Sequence, residues 1–246
     1  VRFALRHAKT ILVPSAFTKS EILDLYPSAR SRENDLVVIH HGFDRERYFS
    51  QSPEDDSPLP LLDAYGVRQP YFLYVGRLQE KKNVPRIVEA FAEMMSNAPG
   101  ENIQLVLAGQ PDYGYERILS IIHDHRIEQR VKILGYIGGK ELPQLMRAAR
   151  AFLFPSLYEG FGIPILEAQA SGTPVMISTV ASLPEVAGDG ALAVDPYDLH
   201  AISRGLERLF ADEGLRTELI IKGKKNLERF RWEDSAQATL DILRGQ

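Results

Sequence analysis

Eight short apolar runs recur along the chain, at residues 10–14, 36–40, 71–76, 103–109, 131–135, 151–155, 174–178 and 191–194. Each has the length of a β-strand, and several carry no polar alternation, as strands covered on both faces do. Most of the intervening segments repeat apolar residues at helical spacing: Val84, Ile87, Val88, Phe91, Met94 and Met95 in one, Leu142, Leu145, Met146 and Ala149 in another. Strand and helix therefore alternate, which predicts an α/β architecture with a parallel sheet, right-handed crossovers and helices on both faces. Beyond residue 197 only helical periodicity remains. A polar stretch rich in Pro, Ser and Asp at 50–60 predicts a surface loop. Gly42 can turn the backbone just after the 36–40 strand, which sets a domain junction near 40–44. Residues 1–41 are thus expected to end one domain and supply a hinge, and 42–246 to form the next.

Composition narrows the class. With 246 residues, 44% hydrophobic and 25% charged, the chain suits one large globular domain or one domain plus part of another. Its 29 Lys and Arg against 33 Asp and Glu give a formal charge of −4 without a long run of like charges, which argues against nucleic acid as a partner. The absence of cysteine excludes disulfides and thiolate metal sites. No apolar stretch has the length of a membrane-spanning helix, and the first residues lack the pattern of a signal peptide, so a cytoplasmic location is expected. The chain begins without Met and enters a helix-like piece at once, and is expected to be part of a longer protein.

Ligands of open α/β sheets bind beyond the carboxyl ends of the strands, so the residues that follow each strand are informative. After 71–75 come Gly76, Arg77 and Lys82, ahead of a helix with Pro85 in its first turn. Two cations beside free helix N–H groups suit a diphosphate, and equally suit a solvated loop. After 131–135, Gly138 and Gly139 permit close backbone approach, so that main-chain groups of Tyr136 and Ile137 could meet a flat base, or serve packing alone. After 151–155 come Glu159, Gly160, Phe161, Gly162, Ile163 and Glu167. Carboxylates accept from vicinal hydroxyls, and the glycines expose N–H groups to sugar or phosphate oxygens; each glutamate alone also reads as a surface charge. Together the three loops converge on one ligand made of base, ribose, diphosphate and sugar.

The segments GRLQEKKN, LVLAG, LGYIGGKELPQLMRAARAFLFPSLYEGFGIPILEAQASGTPVMIS, SLPEVAGDGALAVDPYD and FRWEDSA resemble, in order and spacing, the carboxyl-terminal half of the retaining GT-B glycosyltransferases of family four. The most specific block is the pair Glu159 and Glu167 with seven residues between them, Gly-Phe-Gly included. The resemblance implies a Rossmann-like, nucleotide-sugar-binding domain at 42–246 preceded by a remnant of the amino-terminal domain. It places Gly76, Arg77 and Lys82 on the diphosphate, Glu167 on the ribose, Glu159 on the donor sugar, and backbone of Gly160, Phe161, Gly162 and Ile163 on sugar and phosphate. Backbone of Tyr136 and Ile137 would meet the base. Arg77, Lys82 and Glu159 are the expected catalytic group, with no metal site and no cofactor beyond the substrate, a GDP- or UDP-linked sugar.

The implied reaction transfers a hexose, mannose in many such surface-polysaccharide enzymes, to a glycan or lipid-linked acceptor held by the amino-terminal domain, at the inner face of the membrane. In that family membrane contact is commonly made through the amino-terminal domain, and these residues carry no signal for or against it. The chain departs from the family at the hinge, where His40, His41 and Gly42 stand in place of Pro-Asn-Gly. A nucleotide-sugar epimerase or phosphorylase of the same architecture, and a donor-binding module inactive in isolation, are the alternatives.

Overall fold

A computed structural model describes residues 1–49, 58–97 and 100–245. The strands are β1 (Ile11–Val13), β2 (Leu36–Val38), β3 (Tyr71–Val75), β4 (Gln104–Ala108), β5 (Val131–Gly135), β6 (Ala151–Phe154), β7 (Val175–Ser178) and β8 (Leu192–Val194), one for each apolar run of the sequence. The helices are α1 (Arg2–His7), α2 (Ala16–Leu25), α3 (Arg45–Tyr48), α4 (Leu59–Ala64), α5 (Val84–Asn97) and α6 (Tyr115–Asp124). They continue with α7 (Glu141–Ala148), α8 (Ile163–Ala170), α9 (Leu183–Ala187), α10 (Leu199–Ala211), α11 (Glu213–Asn226) and α12 (Trp232–Arg244).

β1 and β2 pair in parallel as a small separate sheet, and the other six strands form a parallel sheet in the order β5-β4-β3-β6-β7-β8. The pleat sends successive side chains to opposite faces. Tyr71, Leu73, Phe152, Phe154, Val175 and Ile177 pack on one side with residues of α7, α8 and α9. Phe72, Tyr74, Leu105, Leu107, Leu153 and Met176 pack on the other with residues of α5, α6 and α10. Both faces are covered, which is why these strands read as continuous apolar runs. Each large side chain removed from water in this way contributes about 1.5–3 kcal/mol, enough in sum to hold the strand ends rigidly.

From β3 the chain winds outward through β4 to β5, then returns to lay β6 against the other edge of β3. The strand order therefore reverses between β3 and β6, and the loops leaving those two strands diverge around a crevice. The helices are started by side chains where the sequence allows: Asp198 accepts from the Ala201 N–H at 3.1 Å before α10, and Asp212 from that of Leu215 at 2.8 Å before α11. The loop expected at 50–60 falls mainly outside the described residues. Its last part is a helix start, since α4 begins at Leu59 with Pro58 as N-cap and Pro60 in its first turn, where proline's missing N–H is not needed.

Candidate functional site

The crevice owes its shape to two glycines. The Gly76 N–H donates to the Ala108 carbonyl at 2.9 Å, so the segment after β3 runs alongside the segment after β4. A Cβ on Gly109 would lie 1.7 Å from the Gly76 carbonyl oxygen, so no side chain fits there. Asn83, buried and left-handed at φ 63°, ends the short turn at Glu80–Lys82. Its amide donates to the Pro155 carbonyl at 3.0 Å and the Pro196 carbonyl at 2.9 Å. That amide staples the β3 loop to those after β6 and β8.

The resulting cleft of about 590 Å³ is lined by Gly76, Arg77, Lys81, Lys82, Glu159, Phe161, Gly162 and Ile163, together with His41 and Phe154. Lys82 Nζ donates to Glu159 Oε1 at 2.5 Å, with side chains only 22% and 14% exposed. Arg77, 74% exposed, donates to Asp112 Oδ2 at 3.1 Å. The Asp112 carboxyl is held below its ordinary pKa first by the Tyr113 N–H and then by Arg77. Three cations, Arg77, Lys81 and Lys82, thus face one lining carboxylate, Glu159. With Asp112 counted against Arg77 and Glu159 against Lys82, a net positive charge remains at the cleft, which fits an anion.

Gly162 caps α8 at φ 113°, a backbone that favours glycine. In the first turn of α8 Pro164 has no N–H and the Ile165 N–H donates to the Gly162 carbonyl at 3.0 Å, which leaves the Ile163 N–H at the border of the cleft. Glu167 lies one turn further along α8 and is not among the described residues lining the cleft. It faces α3 instead: burial pushes its carboxyl up, while Tyr48 and Arg47 pull it down and Asp44 adds to the rise. The Tyr48 hydroxyl is buried against it and raised in pKa by burial and by the Glu167 charge, yet it meets no partner at full hydrogen-bond geometry. Arg47 Nη2 reaches the Gly139 carbonyl at 2.6 Å, tying α3 to the loop after β5. There Tyr136 is 75% exposed and Ile137 is buried in the core, both outside the cleft of Arg77 and Lys82. Of the expected residues the cleft brings together Gly76, Arg77, Lys82, Glu159, Phe161, Gly162 and Ile163, and its lining does not include Tyr136, Ile137, Gly160 or Glu167.

The segment His40-His41-Gly42, expected as a hinge, is built into an aromatic cluster. His41 packs edge-on to Phe161 at 5.1 Å and tilted to Trp232 at 5.6 Å; burial first, then His40, lowers its pKa. A Cβ on Gly42 would lie 2.3 Å from the Trp232 backbone nitrogen, so the glycine is what lets α12 approach. Asp112, Asn83, Tyr48 and Arg47 escaped the sequence reading. Asn83 alone had a local signal, an asparagine just before a helix start, where left-handed backbone is common; the others act through partners distant in sequence.

A Rossmann-like sheet with a cation-lined cleft at its strand-order reversal, followed by closing helices, is the carboxyl-terminal half of a GT-B fold. Residues 65–226 match the family model of glycosyl transferases group 1, and the chain belongs to that family. It is 34% identical over 244 residues to the O-antigen chain mannosyltransferase B of Escherichia coli, covering 98% of this chain and 62% of that protein. An uncharacterized glycosyltransferase of Methanocaldococcus jannaschii is 26% identical over 239 residues, covering 95% of this chain and 59% of that one. The chain thus spans about three-fifths of the length of these relatives. Among solved structures, Anabaena HepE in complex with UDP and glucose superposes with a TM-score of 0.86 at 23% identity, covering 100% of this chain and 66% of that chain.

Proposed function

We propose that the chain is the donor-binding half of a retaining glycosyltransferase that moves a hexose, mannose, from a nucleoside diphosphate to a hydroxyl of a glycan or glycolipid acceptor in surface-polysaccharide synthesis. The observation that carries this is the cleft at the β3–β6 divergence, lined by Arg77, Lys81 and Lys82 with the Glu159 carboxylate, which Lys82 pairs, beside the first turn of α8. The diphosphate lies against the cations and the helix start, the sugar against Glu159, and the ribose hydroxyls against Glu167 one turn on. The base then rests near the backbone of Tyr136 and Ile137. Mannose is favoured by the likeness to the E. coli O-antigen chain mannosyltransferase B.

In the reaction the bond between the anomeric carbon and the diphosphate oxygen breaks, and the acceptor oxygen bonds to that carbon from the same face. The acceptor proton passes to an oxygen of the departing phosphate. As negative charge grows on the diphosphate, Lys82 and Arg77 stabilise it more strongly than in the ground state, which is where preorganised charge accelerates a reaction. We assign acceptor binding to the part of the relatives' length that the match does not reach, so the 246 residues alone bind donor without turnover.

Calorimetry of the chain with GDP and UDP, alongside a transfer assay with GDP-mannose, tests both statements. The expected result is micromolar to millimolar diphosphate binding and no transfer. Failure to bind either diphosphate at millimolar concentration overturns the donor assignment, and sustained transfer by these residues overturns the division of labour.

A further inference from the structure

Every carbonyl of the Glu159-Gly160-Phe161 turn is met by a hydroxyl, and the hydroxyls come from opposite directions. Ser182, just before α9, lies 2.9 Å from the Glu159 carbonyl oxygen and 2.8 Å from that of Phe161. The carbonyl between them, Gly160, accepts from Ser15 Oγ at 2.7 Å and Thr18 Oγ1 at 3.1 Å, both in the amino-terminal segment. Ser15 is fully buried and its oxygen also accepts from the Thr18 N–H at 3.0 Å, so one hydroxyl caps α2 and grips the loop at once. A second clamp runs the other way. Glu185 of α9 accepts from the N–H of Ala16 at 2.8 Å and of Phe17 at 3.2 Å, the first two orphan donors of α2, and lies 2.9 Å from His40 Nε2. Burial would raise the Glu185 carboxyl, but these donors outweigh it and hold the group below its ordinary value. Tyr158 adds a ring contact to Phe17 at 5.6 Å and a hydrogen bond to Glu21 at 3.1 Å.

We propose that Ser15, Thr18 and Glu185 form a latch through which docking of the amino-terminal segment sets the geometry of the donor loop, making them positioning residues for Glu159 and for the first turn of α8. Gly160 has no side chain through which packing could orient it, so its carbonyl is the handle. With the handle held, Glu159 reaches Lys82, and Phe161 packs against both hinge histidines, at 5.9 Å from His40 and 5.1 Å from His41. With α2 displaced, the Gly160 carbonyl turns to water, the loop samples other conformations, and the diphosphate site loses its preorganised form. Movement between the two parts of the chain is thereby coupled to donor affinity. The inference rests on the assignment of 158–163 as the donor loop.

The test is the double variant Ser15→Ala, Thr18→Val in the 246-residue chain, with Ser15→Thr as rescue and Glu185→Gln as an independent break at the other clamp. Amide hydrogen exchange without ligand is expected to accelerate about tenfold or more at 159–163 while the amides of β3 and α10 keep their parental rates. Dissociation constants are expected to rise about tenfold for whichever diphosphate the parent binds, GDP or UDP, and to stay within twofold for the matching monophosphate. Ser15→Thr is expected to retain parental values. Unchanged exchange at 159–163 overturns the latch, as does equal weakening of mono- and diphosphate. If the double variant does not fold, Glu185→Gln is judged on the same measurements. A parent that binds no nucleotide refutes the donor assignment, and the exchange data then still decide the latch.

Discussion

Removing the Lys82 ammonium strikes the diphosphate site at its least exposed cation. Lys82→Met keeps an apolar stem of similar length and removes the charge, and with it the cation–π contact of Nζ, 5.8 Å from the Phe154 ring centroid. Two unit charges 4 Å apart at an effective dielectric of about 20 attract by about 4 kcal/mol, which caps what Lys82 can give a phosphate. A hydrogen bond to a charged group is worth about 1.5–3 kcal/mol net. At 1.4 kcal/mol per tenfold, the dissociation constant of a nucleoside diphosphate should rise roughly 10- to 150-fold. The substitution also strands Glu159, which is 14% exposed and loses its 2.5 Å partner, so the unliganded protein should lose about 1–3 kcal/mol. Glu159→Gln in the same chain should restore most of that stability without restoring affinity, a coupling that a double-mutant cycle measures. Calorimetry with diphosphate, monophosphate and free nucleoside separates the contributions, since the free nucleoside should bind the variant and the parent alike. If all three ligands weaken by one factor, or the diphosphate does not weaken, Lys82 does not contact the leaving group.

Burial raises the Glu167 pKa, so its stabilising share is present below about pH 4.5 and lost as pH rises through the folded value. Glu167→Gln should therefore melt at or above the parental temperature at pH 7, with the gap closing toward pH 4.5, while binding a ribose nucleotide about 10- to 100-fold more weakly and its 2′,3′-dideoxy analogue unchanged. Gly109→Ala forces a methyl group to 1.7 Å from the Gly76 oxygen; a loss of about 3 kcal/mol is expected, or roughly 6–12 °C in a thermal melt, with weaker diphosphate binding. Asn83→Ala removes two buried hydrogen bonds and leaves alanine in left-handed backbone, costing about 2–4 kcal/mol, read as a lower urea midpoint at unchanged slope.

Apolar runs located all eight strands, and helical spacing most of the helices between them, because burial on two faces or one stripe writes itself into neighbouring residues. It did not extend to α3, whose four residues are too few for a period, nor to the start of α4, where two prolines looked like a loop. The site divides the same way. That Arg77, Lys82, Glu159 and the glycines follow strands was visible in the sequence, and so was the chemistry those residue types can offer. The family assignment rests on the match over residues 65–226, a range that contains those positions.

What the sequence determined by itself, then, is the set of elements and the inventory of groups at their ends, since both depend on residues a few positions apart. Tertiary structure decided who meets whom. Laying β6 beside β3 brings Lys82 to Glu159 across 77 positions, Asp112 neutralises Arg77 across 35, and Gly160 is held by Ser15 across 145. It also turned Glu167 toward Tyr48 and away from the cationic cleft. Such pairings follow from strand order and loop path, which the whole core selects at once, so no short window of sequence can carry them.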